Sequence, residues 1–168
     1  MSTYQIAISG ANGFTGRYVC RELSSRGIKF IAILRPGSDP TWMEENCFQY
    51  VFADLNNTEQ LINVLGGIDK LINVASIGFG SVPSLIKACK FMNIKRVIFF
   101  STTAIFTNLN AKSKAIRKEA EYLIKSSNLQ WTIIRPTMIY GSPDDRNMIK
   151  LVKWIDKWPI IPIFGDGK

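Results

Sequence analysis

The chain has 168 residues, 46% of them hydrophobic, which suits one globular domain with a sizeable core and argues against disorder. It has no histidine, and its three cysteines, Cys20, Cys47 and Cys89, lie far apart without CxxC spacing. That argues against zinc sites and histidine-based triads; no metal is expected, and the cysteines read as buried reduced thiols. The formal net charge of +8 is spread along the chain, with no dense basic tract and no nucleic-acid-binding motif. It suits anionic ligands on a solvated basic surface, and no nucleic-acid partner is expected. No apolar run approaches the length of a membrane span, and Met1-Ser2-Thr3-Tyr4 leads straight into a strand with no signal-peptide pattern. Cytoplasmic residence without a membrane partner is the expectation.

Hydrophobic pattern and breakers give a regular alternation of elements. Tyr4–Ser9 reads as strand one. Phe14–Arg26 reads as a helix stopped by Gly27. Ile28–Leu34 is strand two, closed by Pro36-Gly37, and Phe48–Ala53 is strand three. Thr58–Leu65 is a helix with Asn57 or Thr58 as its cap and Gly66-Gly67 as its stop. Lys70–Val74 is strand four, Val82–Met92 a helix, and Val97–Ser101 strand five. Ala111–Ser126 is a helix with Glu, Lys and Arg on its outer face. Trp131–Arg135 is strand six, ended by Pro136. Asn147–Lys157 is a short amphipathic helix carrying Ile149, Val152 and Ile155. Strands alternating with helices imply an α/β fold: a doubly wound parallel sheet with helices on both faces, in three layers. Ligands of such folds sit beyond the carboxyl ends of the strands. Gly10–Gly16, Asp54, Val74–Ser76, Ser101–Thr103 and Pro136–Thr137 all fall at those ends.

The most informative segment is Ile6-Ala7-Ile8-Ser9-Gly10-Ala11-Asn12-Gly13-Phe14-Thr15-Gly16. A strand that turns this tightly into a helix aims first-turn N–H groups and the positive end of the helix dipole at one point, which suits a pyrophosphate. Gly10 allows the tight turn, Gly13 lets backbone approach the phosphates, and Gly16 lets the helix pack on the sheet. The spacing is Gly-x-x-Gly-x-x-Gly, and an ordinary βα turn is the alternative reading. About twenty residues on, an acid would favour NAD by accepting from both ribose hydroxyls. The end of strand two carries Arg35 instead, with no carboxylate beside it. A guanidinium suits a 2′-phosphate, so NADP is favoured and NAD left open; a plain surface arginine is the alternative. Asp54, after strand three, suits the adenine amino group, although Asp is common at such positions.

Taken together, Gly10-Ala11-Asn12-Gly13-Phe14-Thr15-Gly16, Ala53-Asp54-Leu55, Asn73-Val74-Ala75, Phe100-Ser101-Thr102-Thr103-Ala104 and Arg135-Pro136-Thr137-Met138-Ile139-Tyr140-Gly141 resemble the short-chain dehydrogenase/reductase superfamily. The likeness is to its extended and atypical branches, which include NAD-dependent epimerases and dehydratases. It implies a Rossmann-type NAD(P)-binding fold. It also implies a cofactor site of Gly10, Asn12, Gly13, Phe14, Thr15 and Gly16 at the pyrophosphate, with Asp54 and Leu55 at adenine. Asn73, Val74, Ala75 and Ser76 would line the adenosine side, and Pro136 and Thr137 would border the nicotinamide. Thr103, with Thr102 second, would orient the substrate hydroxyl or carbonyl. The resemblance also implies pairing of two copies through the helices after strands four and five.

The superfamily then requires Tyr-x-x-x-Lys on the next helix, where the tyrosine exchanges a proton and the lysine lowers its pKa and binds ribose. One register places Lys114 as the lysine and Asn110 where tyrosine should be. Alignment back from Arg135 places Ser113 and Arg117 in the two positions. Neither supplies a tyrosine: Tyr122 falls too late on the helix and Tyr140 lies beyond strand six. The stretch Trp158–Lys168 resembles the segment leading into the superfamily's next strand. A single NAD(P)-binding domain over 1–168 is therefore expected, lacking the substrate-binding part, as a partial chain or natural remnant. Two functions follow. One is an NAD(P)-dependent oxidoreductase or epimerase/dehydratase-like enzyme acting on a small or nucleotide-linked sugar or carbonyl. In it Thr103 positions the reacting oxygen, Lys114 binds the nicotinamide ribose, and water or an unusual donor supplies the proton. The other is a non-catalytic NADP(H)-binding module, a redox sensor or accessory subunit.

Overall fold

The computed structural model describes residues 4–106, 112–141, 145 and 148–158. The chain divides into two compact units, Met1–Thr137 and Met138–Lys168. In the first unit the elements run β1 (Ile6–Ser9), α1 (Phe14–Ser25), β2 (Phe30–Leu34), α2 (Thr41–Glu45), β3 (Tyr50–Phe52) and α3 (Thr58–Val64). They continue with β4 (Lys70–Asn73), α4 (Val82–Phe91), β5 (Arg96–Phe100), α5 (Lys112–Lys125) and β6 (Gln130–Ile134). Short 3₁₀ turns at Ile77–Phe79 and Thr103–Phe106 follow β4 and β5. The second unit holds α6 (Met148–Lys157).

The strands form one sheet in the order β3-β2-β1-β4-β5-β6, with every pairing parallel. This is the doubly wound Rossmann arrangement, and its order reverses between β1 and β4. The period-two alternation of side chains divides the core. Ala7, Ile33, Leu71, Val97 and Phe99 belong to a buried cluster with Leu61 of α3, Leu85 and Cys89 of α4, and Ala120 and Ile124 of α5. Ile8, Ala32 and Leu34 belong to another with Cys20 of α1 and Met43 of α2. Gly16, Val19, Cys20 and Leu23 make the inward stripe of α1 at three- and four-residue spacing.

Most boundaries follow the sequence signals. Gly27, at φ +68°, closes α1 and donates its N–H to Ser24 O at 2.9 Å. Asn57, the first of the two expected caps, accepts the Gln60 N–H at 3.1 Å. Strand three is shorter than expected because the Phe48 N–H is already bonded to Met43 O at 2.9 Å and its ring packs on Phe30 and Trp42. Helix α2 was not anticipated, since five residues are too few to show a helical period. Asp39 starts it by accepting from both the N–H and the hydroxyl of Thr41. Burial pushes the Cys20 and Cys89 thiols up to about 12. Cys47 corrects the expectation of three buried thiols: it sits in a left-handed turn after α2, at φ +55°, and is exposed. Among the described residues no helix is long and apolar enough to cross a membrane, and no cluster of three or more His, Cys, Asp or Glu could hold a metal ion.

A Cβ on Gly16 would collide with the Gly10 carbonyl oxygen and lie 2.7 Å from Ala11 O, whereas one on Gly66 meets nothing within 4 Å. Both neighbours of Gly16 are backbone and cannot swing away. Gly16→Ala is expected to lower unfolding free energy by about 1–3 kcal/mol. Gly66→Ala is expected to stay within about 0.5 kcal/mol of the parent. Urea unfolding of the two variants side by side tests the difference.

Candidate functional site

The glycine turn is squeezed between the first helix and the chain leaving β4. Gly10 has φ +72°, and a Cβ there would overlap the Ala75 N and lie 2.8 Å from Ala75 Cα. The turn closes with Gly13 N–H donating to Gly10 O at 3.1 Å. Gly13 is the N-cap of α1 in extended conformation, and no side chain caps that end. The first-turn N–H groups at Phe14, Thr15 and Gly16 therefore have no intrahelical acceptor. They converge with the positive end of the helix dipole, a geometry made for an anion.

Several expected site residues are committed to building this cradle. Ser9 donates its hydroxyl to Asn73 Oδ1 at 2.6 Å, and Asn73 Nδ2 donates to Ala75 O at 2.9 Å. Ser9 and Asn73 are both fully buried, so Asn73 fixes the path of Val74 and Ala75 against Gly10. Ser76 accepts the Gly78 N–H through its hydroxyl and starts the 3₁₀ turn after β4. Asn12 donates from Nδ2 to Asp39 O at 2.6 Å and accepts at Oδ1 from Arg17, so its side chain ties the turn to the loop after β2. Asp54 accepts at Oδ1 from the N–H and side chain of Asn56, while its own N–H donates to Gln60 Oε1. Leu55 packs against the core. Arg35 is exposed at the end of β2, and its guanidinium has no partner among the described residues.

The other half of the site lies beyond β5 and β6. Ser101 N–H donates to Ile134 O at 2.7 Å and Thr103 N–H to Pro136 O at 3.1 Å, which extends the strand pairing into the two loops. Thr103 Oγ1 is a long 3.5 Å from Pro136 O, and Thr102 accepts the Ala104 N–H through its hydroxyl. Pro136 and Thr137 are thus held beside Thr103.

Sequence reasoning missed the network that α5 lays across these strand ends. Ser113, Arg117 and Glu121 form one stripe at four-residue spacing. Arg117 donates to Ser113 Oγ at 2.9 Å and packs over Gly78, where a Cβ would lie 3.0 Å from its Nε. Lys114 sits half-buried on the same helix. Asn110, the tyrosine position in the Lys114 register, lies outside the described residues. Glu121, 4% exposed, receives a two-pronged pair from Arg135 at 2.8 and 2.5 Å. Arg135 in turn lies over the Phe106 ring at 5.8 Å. Burial alone would raise the Glu121 pKa, but the Arg135 hydrogen bonds and charge, the nearby Ser101 hydroxyl and Lys125 outweigh it and hold the carboxyl below its ordinary range. The Ser101 hydroxyl is buried beside this pair without a hydrogen bond of good geometry. The four-residue spacing of Ser113, Arg117 and Glu121 is the one signal that could have shown this stripe. Tyr122 points to solvent, 69% exposed. An open hollow of about 350 Å³ lined by Tyr4, Lys29, Phe30, Cys47 and Phe48 contains none of these strand-end groups.

A family model described as NAD(P)H-binding matches residues 10–153. The chain is 25% identical over 173 residues to a ceramide reductase from Caulobacter vibrioides, covering 95% of this chain and 54% of the relative. It spans about half the length of the curated relatives it matches. Among solved structures it superposes on a putative NAD-dependent epimerase/dehydratase from Bacillus halodurans. The TM-score is 0.72 at 22% identity, covering 82% of this chain and 72% of the other. It also superposes on a wide-type short-chain dehydrogenase/reductase from Veillonella parvula in complex with NADP. Here the TM-score is 0.70 at 18% identity, covering 92% of this chain and 88% of the other.

The Glu121 pair yields a signed pH dependence. A depressed folded pKa contributes stability that is present above the ordinary glutamate value of 4.5 and is lost as pH falls through the folded value. Glu121→Gln is expected to cost about 2 kcal/mol at pH 7. The gap to the parent should narrow as pH drops below 4.5, measured by urea unfolding across that range.

Proposed function

Because this chain belongs to the NAD(P)H-binding family, we propose that its strand-end cleft binds NADPH in preference to NADH and serves an oxidoreductase or epimerase-like reaction on a small or nucleotide-linked sugar or carbonyl. The observation that carries this reading is the cradle itself. Gly10 and Gly16 are packed too closely for any Cβ, no side chain caps the α1 N-terminus, and Arg35 at the end of β2 has no partner among the described residues. A pyrophosphate fits the first two features, and a ribose phosphate the third. Phe14, Thr15 and Gly16 offer their N–H groups to the pyrophosphate. Asp54 keeps its second carboxylate oxygen for adenine, and Val74 and Ala75 wall the adenosine side. Asn12 and Asn73 serve by positioning the loops.

Bound in this cleft, a nicotinamide dinucleotide supplies hydride transfer. Thr103 orients the substrate oxygen, aided by Thr102, beside the Pro136-Thr137 border. For the ribose-binding cation, packing on Gly78 just after β4 favours Arg117 with Ser113 over the Lys114 register. An arginine stays charged at any working pH and cannot itself exchange the proton. Water is then the donor. The presence of Ser113 where tyrosine would stand favours a second reading, a non-catalytic NADP(H)-binding module.

Titration of the purified chain with NADPH and NADH tests binding, and turnover across a carbonyl and sugar panel separates the readings. NADPH should bind more tightly, and Arg35→Ala should reduce that preference about tenfold. Thr103→Ala should abolish turnover and spare cofactor binding. Binding with no turnover anywhere in the panel would favour the module.

A further inference from the structure

The 3₁₀ turn after β5 runs from Thr103 to Phe106. Such a helix has three residues per turn, so side chains at its first and fourth positions eclipse. Thr103 and Phe106 therefore share one side of it. Burial follows the same period. Ile105 is 4% exposed and anchors the turn in the core, Ala104 is exposed, and Phe106 is 69% exposed. Phe106 is thus the ring beside the hydroxyl assigned above to the substrate oxygen.

The ring is held on one side. Arg135 lies over it at 5.8 Å, and that guanidinium is pinned by its two-pronged bond to Glu121 at 2.8 and 2.5 Å. Thr103 is fixed in turn by its N–H bond to Pro136 O at 3.1 Å. A phenylalanine stacked under a fixed arginine has lost rotamer freedom before a ligand arrives, which lowers the cost of packing something apolar on it.

The polar groups around the ring are occupied. Thr102 accepts the Ala104 N–H through its hydroxyl at 3.2 Å, and Arg135 gives its Nε and Nη2 to the buried Glu121. Within the turn, Thr103 carries the one side-chain oxygen, and its Oγ1 makes only the long 3.5 Å contact to Pro136 O. One hydrogen-bonding group next to an apolar ring fits a substrate with one polar atom and a hydrocarbon substituent. A polyol placed here would lose water from several hydroxyls without gaining partners for them.

We propose that Phe106 is a specificity-determining residue that packs against a hydrocarbon substituent, so that the substrate is an alkyl or aryl ketone or aldehyde and not a sugar. This assignment rests on the oxidoreductase reading above and narrows its substrate class.

The test titrates the whole chain, loaded with NADPH, with propanone, 2-octanone and glucose, following ligand signals by NMR. NADPH binding itself is measured by calorimetry. In the parent, affinity should rise about tenfold or more from propanone to 2-octanone, and glucose should bind no better than propanone. Phe106→Ala should cut that rise to less than about threefold and leave NADPH affinity within about twofold of the parent. Phe106→Leu should keep most of the rise, since it retains apolar surface without offering Arg135 a ring. An equal loss in the leucine and alanine variants would mean that the ring only props Arg135, and would overturn the proposal. So would a parent whose affinity does not grow with chain length, or one that prefers glucose. In each of those cases intact NADPH binding leaves the dinucleotide reading standing. A parent that binds no NADPH would remove that reading, and this inference with it.

Discussion

Three stretches of backbone meet at Gly10 with no room for a side chain between them. The end of β1, the start of α1 and the chain leaving β4 approach so closely that a Cβ on Gly10 or Gly16 would overlap carbonyl or amide atoms. Everything at the carboxyl edge of the sheet is arranged around that contact. It points the α1 N-terminus outward, and it occurs beyond the carboxyl ends of the paired strands β1 and β4, where the strand order reverses and a crevice must open. The buried Ser9–Asn73–Ala75 chain of hydrogen bonds secures the same junction from below. Polar groups this deeply buried are tolerated because each finds a partner.

A second constraint acts on the other side of the crevice. Helix α5 sends one stripe of side chains across three strand ends: Arg117 to the turn after β4, and Glu121 to Arg135 at the end of β6, next to Ser101 at the end of β5. Removing either partner of the Glu121–Arg135 pair would leave a charge stranded in or near the interior, so the pair specifies geometry more than it adds net stability. It keeps Pro136 and Thr103 in register, the two residues that border the expected reacting centre.

The sheet and its crevice were legible because period-two apolar runs, glycine stops and the Gly-x-x-Gly-x-x-Gly turn are local signals with direct geometric causes. The cap at Asn57 and the stop at Gly27 were read from chemistry that acts over three or four residues. What escaped was non-local or too short. Helix α2 has no measurable period. Asn12 reaches Asp39, 27 residues along the chain, so its bracing of the turn against the loop after β2 shows in no local pattern. The Glu121–Arg135 pair joins residues fourteen apart whose burial no window of sequence reveals. The packing of Arg117 on Gly78, which bears on the two registers for the lysine position, joins residues that no local pattern relates.

The Ser9–Asn73 bond ties together the two strands that frame the cradle. Its partners are 64 residues apart, whereas β1 and β2 are joined through a single helix. Closing that longer loop costs entropy that is recovered only once the central strands dock. The phosphate cradle needs Ala75 beside Gly10, so no partly folded chain that lacks the β1–β4 pairing can own it. Nucleotide-binding competence thus depends on that pairing. Any ligand held there acts as a kinetic and thermodynamic clasp on the most expensive pairing in the sheet.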